Sequence, residues 1–208
     1  MDRKAELRRR TGETDITLAL NLDGSGKADI DTGIGFFDHM LDAFARHGFF
    51  DLSVHVKGDL EVDGHHTIED TGIVLGEAIR QAVGDKKGIR RYGSFLLPMD
   101  ETLIACALDL CGRAYFASDV TFTVDRIGQF ETEMVREFFL AVANNSFMNL
   151  HFVQMRGENN HLIAEASFKA FAKALDMATS FDPRITDVLS TKGTLKRKGA
   201  LHVYAERS

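Results

Sequence analysis

Residues 65–83 read HHTIEDTGIVLGEAIRQAV, and residues 161–179 read HLIAEASFKAFAKALDMAT. Each opens on a histidine four positions before a glutamate, then continues with apolar residues at three- and four-residue spacing, the period of an amphipathic helix. Each also follows a stretch of alternating polarity. Upstream of each lies another helical pattern with an adjacent phenylalanine pair: Phe36-Phe37 beside His39, and Phe138-Phe139 beside Glu137. A match recurring after about 96 residues is too long for a solenoid repeat and marks an internal duplication. The expected fold is α+β: two similar βα half-domains, about 1–90 and 91–195, packed as one globular unit. Residues 196–208, KRKGALHVYAERS, then form a C-terminal extension or cloning remnant.

Working outward, alternation predicts strands over 14–21, 51–56, 103–110, 114–124 and 150–155, with another after the turn in LDGSGKADI. Helical spacing predicts helices over 36–46, 69–83, 131–145 and 165–178, with Gly84 as a stop signal. Proline occurs only at Pro98 and Pro183, and there is no Gly/Ser-rich linker.

The 208 residues are 44% hydrophobic and 27% charged, an ordinary globular composition. A net charge of -6 argues against a nucleic-acid scaffold, which needs a basic face. No run approaches the length of a membrane span. The first ten residues are charged with no apolar core behind them, unlike a secretory signal. A cytoplasmic protein is therefore expected, with Cys106 and Cys111 as buried free thiols.

His65-His66-Thr67-Ile68-Glu69 carries the chemistry. A histidine and a glutamate four apart share one face of a helical turn and can hold one divalent cation, while His66 points elsewhere and could serve a second. Imidazole and carboxylate donors suit manganese, iron or zinc. Taken alone, the motif also fits a surface histidine pair. The second His-x-x-x-Glu, His161 to Glu165, strengthens the metal reading, and His39 adds a donor. His47, His55 and His202 lack such a context, and His151 on an alternating strand reads as supporting or core. Arg91, Arg113, Lys169 and Lys192 lie beside turn or motif residues. Ser190-Thr191-Lys192-Gly193 offers hydroxyls, an ammonium and backbone N–H groups to a phosphate, without the spacing of a P-loop. In PMDET, Asp100 and Glu101 either cap a turn or supply a general base.

The stretches RRTGETDI, GIGFFDHML, GDLEVDGHHTIEDTGIVLGEAI, GIRRYGSFLLPMDET, DLCGRAY, GENNHLIAEASFKAFAKAL and STKGTL together resemble the imidazoleglycerol-phosphate dehydratases of histidine biosynthesis. The resemblance runs from about Arg8 to Leu195. It implies a ribosomal-protein-S5-domain-2-like duplicated fold and manganese-dependent dehydration of imidazole-glycerol phosphate to imidazole-acetol phosphate. It also implies two manganese ions per active site and a 24-mer whose neighbouring subunits share metal ligands. No nucleic-acid or membrane partner is implied. The implied metal ligands are His39, His65, His66, Glu69, Glu137, His161 and Glu165. Leu162 stands where the second motif would carry another histidine, which weakens one metal site. The implied phosphate-binding residues are Arg91, Arg113, Lys169, Ser190 and Lys192. Glu13 and Asp100 are the implied acids near the reacting carbons, with Glu69 and Glu165 at the catalytic metals. Two other classes fit parts of the pattern. A metal-storage oligomer leaves the cations without a role, and a metallohydrolase leaves the duplication unexplained.

Overall fold

The computed structural model describes residues 3–195, so the 196–208 extension and His202 lie outside the described residues. The first half runs β1 (Lys4–Arg10), β2 (Thr14–Asn21), β3 (Ala28–Asp31), α1 (Gly35–Gly48), β4 (Asp51–Gly58) and α2 (His65–Val83). The second runs β5 (Tyr92–Met99), β6 (Thr102–Asp109), β7 (Tyr115–Ser118), a small hairpin of β8 (Arg126–Ile127) and β9 (Phe130–Glu131), then α3 (Met134–Ser146), β10 (Asn149–Arg156) and α4 (Asn160–Thr179).

The duplication is exact in topology. The sheets are ordered β1-β2-β4-β3 and β5-β6-β10-β7. In each, the first three neighbours pair antiparallel and the last strand joins parallel. The helices α1 and α2 cover one sheet, α3 and α4 the other, and the halves meet helix to helix, α2 on α3 and α1 on α4. Phenylalanine pairs bridge the halves: Phe44 and Phe171 stack with centroids 5.5 Å apart, and Phe37 meets Phe138 edge-on at 5.4 Å. Burial of such rings is the main favourable contribution to folding. Gly72 and Gly76 of α2 let α3 approach closely, because a Cβ at either would fall 2.7 Å from a carbonyl oxygen, that of Phe138 or Val142.

Several boundaries differ from the sequence expectation. The helices α2 and α4 begin at His65 and Asn160 rather than at Glu69 and Glu165, so each His-x-x-x-Glu motif is itself the first turn. The Asn159 side chain caps α4 by accepting from the amides of His161 and Leu162. Helix α3 starts at Met134 instead of residue 131, because Phe130–Glu131 pairs as β9. Strand β7 stops at Ser118, and beyond it the amides of Thr121 and Thr123 bond to the side chains of Gln154 and Asn160. Strands β1 and β5 were not expected. Charged residues occupy the open side of β1, and β5 contains Gly93 and Pro98. Both are edge strands, where such residues are tolerated. Cys106 and Cys111 are free and buried as expected. His151 is exposed rather than core, with its ring 5.4 Å from that of Tyr115. Among the described residues no helix is long and apolar enough to cross a membrane.

Candidate active site

The first turns of α1 and α4 meet where the two halves join. His39 Nε2 lies 3.6 Å from Glu165 Oε2, and His161 Nε2 lies 3.1 Å from the same oxygen. One donor atom from each of these three residues falls within 4.8 Å of the others, the one such group of three among the described residues. Phe36 packs edge-on against both imidazoles, its centroid 6.4 Å from His39 and 5.1 Å from His161. Lys169, one turn along α4, holds Glu165 Oε1 at 2.6 Å. Burial opposes ionisation of Glu165, but the Lys169 hydrogen bond and charge, with help from His39 and His161, keep its carboxyl below the ordinary value.

The first-half motif is more open. His65 Nε2 is 3.4 Å from Glu69 Oε2, and both side chains are nearly half exposed. His66 turns away, its ring at 77° to that of His65. Its Nδ1 meets Asp59 at 2.9 Å, and its Nε2 lies 3.7 Å from Glu13 Oε1. The hydrogen bond to Asp59 raises the His66 pKa above its usual value. Glu13 sits on the β1–β2 turn, where Thr11 Oγ1 accepts from the amides of Glu13 and Thr14. Thr14 Oγ1 donates to buried Asp70 at 2.5 Å, and Arg9 pairs with the same carboxylate oxygen. That turn is thereby tied to the start of α2. Glu137 of α3 contacts Arg136 at 3.1 Å and joins no group of three ligand atoms among the described residues.

The corresponding turn in the second half carries Asp100 and Glu101. Glu101 accepts from the amides of Glu158 and Asn159 at 2.9 and 2.7 Å, so it caps the lead-in to α4. Asp100 is exposed with φ of 50°, a conformation costly for a residue other than glycine. The two sequence-predicted acids, Glu13 and Asp100, thus occupy equivalent hairpin turns of the two halves.

The basic residues separate into two groups. Arg91 makes a bidentate pair with Asp109 at 2.6 and 2.9 Å and donates to the Leu189 carbonyl at 2.8 Å. It thereby holds the loop that carries Ser190 and Lys192, where the Lys192 amide donates to Ser190 Oγ at 3.2 Å. The exposed Arg113 lies in the loop after β6, where the Leu110 amide reaches the Arg91 carbonyl. The Arg91 amide bonds the carbonyl of Ala178, near the end of α4. Lys169 lies toward the other end, on Glu165. Asp59, Asp70 and Asp109 lie within the quoted motif stretches, but sequence reasoning gave none of them a role.

A family model described as imidazoleglycerol-phosphate dehydratase matches residues 32–175. The chain belongs to the imidazoleglycerol-phosphate dehydratase family. Among curated family members, the dehydratase of Lachnoclostridium phytofermentans is 63% identical over 196 residues, 94% of this chain and 100% of that protein. That of Acetivibrio thermocellus is 60% identical over 195 residues, again 94% and 100%. Among solved structures, the Staphylococcus aureus dehydratase superposes with a TM-score of 0.78 at 36% identity, covering 86% of this chain and 99% of that one. The Pyrococcus furiosus dehydratase, in complex with (S)-C348, superposes with a TM-score of 0.77 at 35% identity, covering 90% and 99%. The reaction is therefore the hydro-lyase step of histidine biosynthesis that dehydrates imidazoleglycerol phosphate. The His39–His161–Glu165 group supplies a metal-capable donor set in this metal-dependent dehydratase family.

Proposed function

We propose that this dehydration takes place at a two-manganese centre assembled from the duplicated helix starts, with its phosphate-holding half contributed by a neighbouring copy of the chain. The observation that carries the reading is the convergence of His39, His161 and Glu165. The donor chemistry fits a divalent cation: two imidazoles and one carboxylate, with no thiolate in the group. Because Lys169 occupies Glu165 Oε1, Oε2 is left facing both histidines. His65, His66, Glu69 and Glu137 are the remaining proposed ligands, with His66 turned toward a different ion from His65 and Glu69, and Leu162 leaves the duplicated set one histidine short. When bound, manganese supplies Lewis acidity toward the substrate's imidazole ring, whose carbon chain has no carbonyl to accept electrons.

The chain's own groups do the rest. Glu13, held on its turn by Thr11 and anchored through Thr14 to Asp70, takes the proton from the carbon bearing the second hydroxyl. Asp100 gives a proton to the hydroxyl beside the ring as it leaves. The resulting enol becomes the ketone of imidazole-acetol phosphate. Arg91, Arg113, Ser190 and Lys192 hold the phosphate, while Lys169, expected from the sequence to join them, is engaged by Glu165; binding energy remote from the reacting carbons then fixes orientation.

Distance supports a shared site. Glu165 and Ala178 are separated by thirteen positions of α4, a span of about 20 Å at the helical rise. Arg91 and the 190–192 loop sit at the Ala178 end. Ring and phosphorus in the substrate are joined by five bonds, about 8 Å at most with single bonds near 1.5 Å. The backbone separation exceeds the substrate's own length more than twofold, which supports a site completed by a neighbouring copy in a closed symmetric oligomer, proposed to be a 24-mer. The test is manganese content by elemental analysis together with dehydration of imidazoleglycerol phosphate, for the wild type and for His39→Asn and Glu165→Gln. Both variants should lose metal and activity together. Full metal content and turnover in both would overturn the assignment.

A further inference from the structure

We infer that Asp59 is the positioning residue for His66: it accepts a hydrogen bond from Nδ1–H and presents Nε2 as the free ligand nitrogen. The inference rests on the proposed role of His66 as a metal ligand. Asp59 faces His66 with both oxygens, at 2.9 and 3.2 Å from Nδ1. A neutral imidazole carries one proton, so a carboxylate at Nδ1 places it there and leaves the lone pair on Nε2. That nitrogen points toward Glu13, 3.7 Å away, into the space between the catalytic turn and the start of α2. A carboxylate behind a ligating imidazole fixes ring orientation and strengthens it as a donor.

The fold makes this contact rather than merely allowing it. Asp59 directly follows β4, so its backbone is set by the sheet, and its carbonyl closes a turn with the Val62 amide at 2.8 Å. Gly58 lets the end of β4 lie against the first turn of α2, because a Cβ there would fall 1.9 Å from Thr67 Oγ1. In the second half, six connecting residues (59–64) are replaced by three (157–159), and the counterpart of His66 is Leu162. The histidine and the loop that brings its carboxylate are both altered there.

The experiment is calorimetric titration of metal-stripped protein with manganese chloride, for the wild type, Asp59→Ala, Asp59→Asn, His66→Ala and Asp29→Ala. Asp29 pairs with His55 at 3.1 Å and serves as a control of the same chemistry outside the site. Asp59→Ala should weaken one class of manganese site by about 10- to 100-fold and leave the other unchanged. Asp59→Asn, which keeps an acceptor oxygen but not the charge, should fall between it and the wild type. Asp29→Ala should match the wild type. If Asp59→Ala fails to fold, Asp59→Asn decides alone, and wild-type affinity in it overturns the inference. If His66→Ala weakens binding and the Asp59 variants do not, the positioning role fails while the ligand assignment stands. If His66→Ala also binds normally, both fail.

Discussion

The Thr14–Asp70 contact joins the turn carrying Glu13 to helix α2, and its energy can be worked from the structure. Thr14 is 3% exposed and Asp70 7%, so neither regains full hydration if the other is removed. Loss of a hydrogen bond to a charged group costs about 1.5–3 kcal/mol. Arg9 meets the same oxygen through a buried Nη1 that has no hydrogen-bond partner, so removing Asp70 also strands that donor, which adds about 1 kcal/mol. Asp70→Ala should therefore destabilise the protein by about 2–4 kcal/mol and Thr14→Val by about 1.5–3 kcal/mol. Because both remove one bond, a double-mutant cycle should return about 1.5–3 kcal/mol of coupling. The assay is urea unfolding at a single protein and manganese concentration, because assembly and metal both shift apparent stability. Glu13 lies one residue from Thr14, so kcat should fall in both single variants while manganese affinity at the His39 site holds. Coupling below about 0.5 kcal/mol, or unchanged kcat in a destabilised Thr14→Val, would show that the contact does not position the turn.

Chelation of manganese should abolish activity and release a smaller oligomer by light scattering, with both restored on adding metal, if the site is shared between copies as proposed and metal binding is part of the association energy. Leu162→His should tighten the weaker of two manganese sites and raise activity at limiting metal, read by calorimetry; two equal, tight sites in the leucine form would refute this. The amides of Asn159 and Glu158 hold the Glu101 carboxyl below its ordinary pKa. Its contribution is thus complete above the unfolded value of about 4.3 and is lost as pH falls through the lower folded value. Glu101→Gln should melt below the wild type at pH 7, and the gap should close as the solution is acidified through the carboxylate range.

What was legible in the sequence was whatever repeats at short range. The four-residue spacing of His161 and Glu165 placed both on one helical face, and the duplication predicted two like halves. The helix starts were set late because the motif residues are polar and hide the first turn from an apolar count. Strands β1 and β5 were hidden because an edge strand can carry arginines, a glycine or a proline along its open side. Asp59, Asp70 and Asp109 were missed for a different reason. Each sits inside a motif stretch, but its partner is set by tertiary packing, as with Thr14, 56 positions away from Asp70. Lys169, four residues past Glu165 on the same helix, was read toward phosphate, and the structure pairs it with Glu165.

A site completed by a neighbouring copy, as proposed from the separation of the two ends along α4, would mean that no chain works for itself alone. A chain crippled at Glu165 still carries a sound Arg91–Lys192 end, and a chain crippled at Lys192 and Arg113 still carries a sound helix start. Each defect is recessive to the other. When the two are dissociated, mixed and reassembled, some sites should draw one intact end from each parent, so two nearly dead preparations should yield measurable turnover. Either preparation reassembled by itself should yield none.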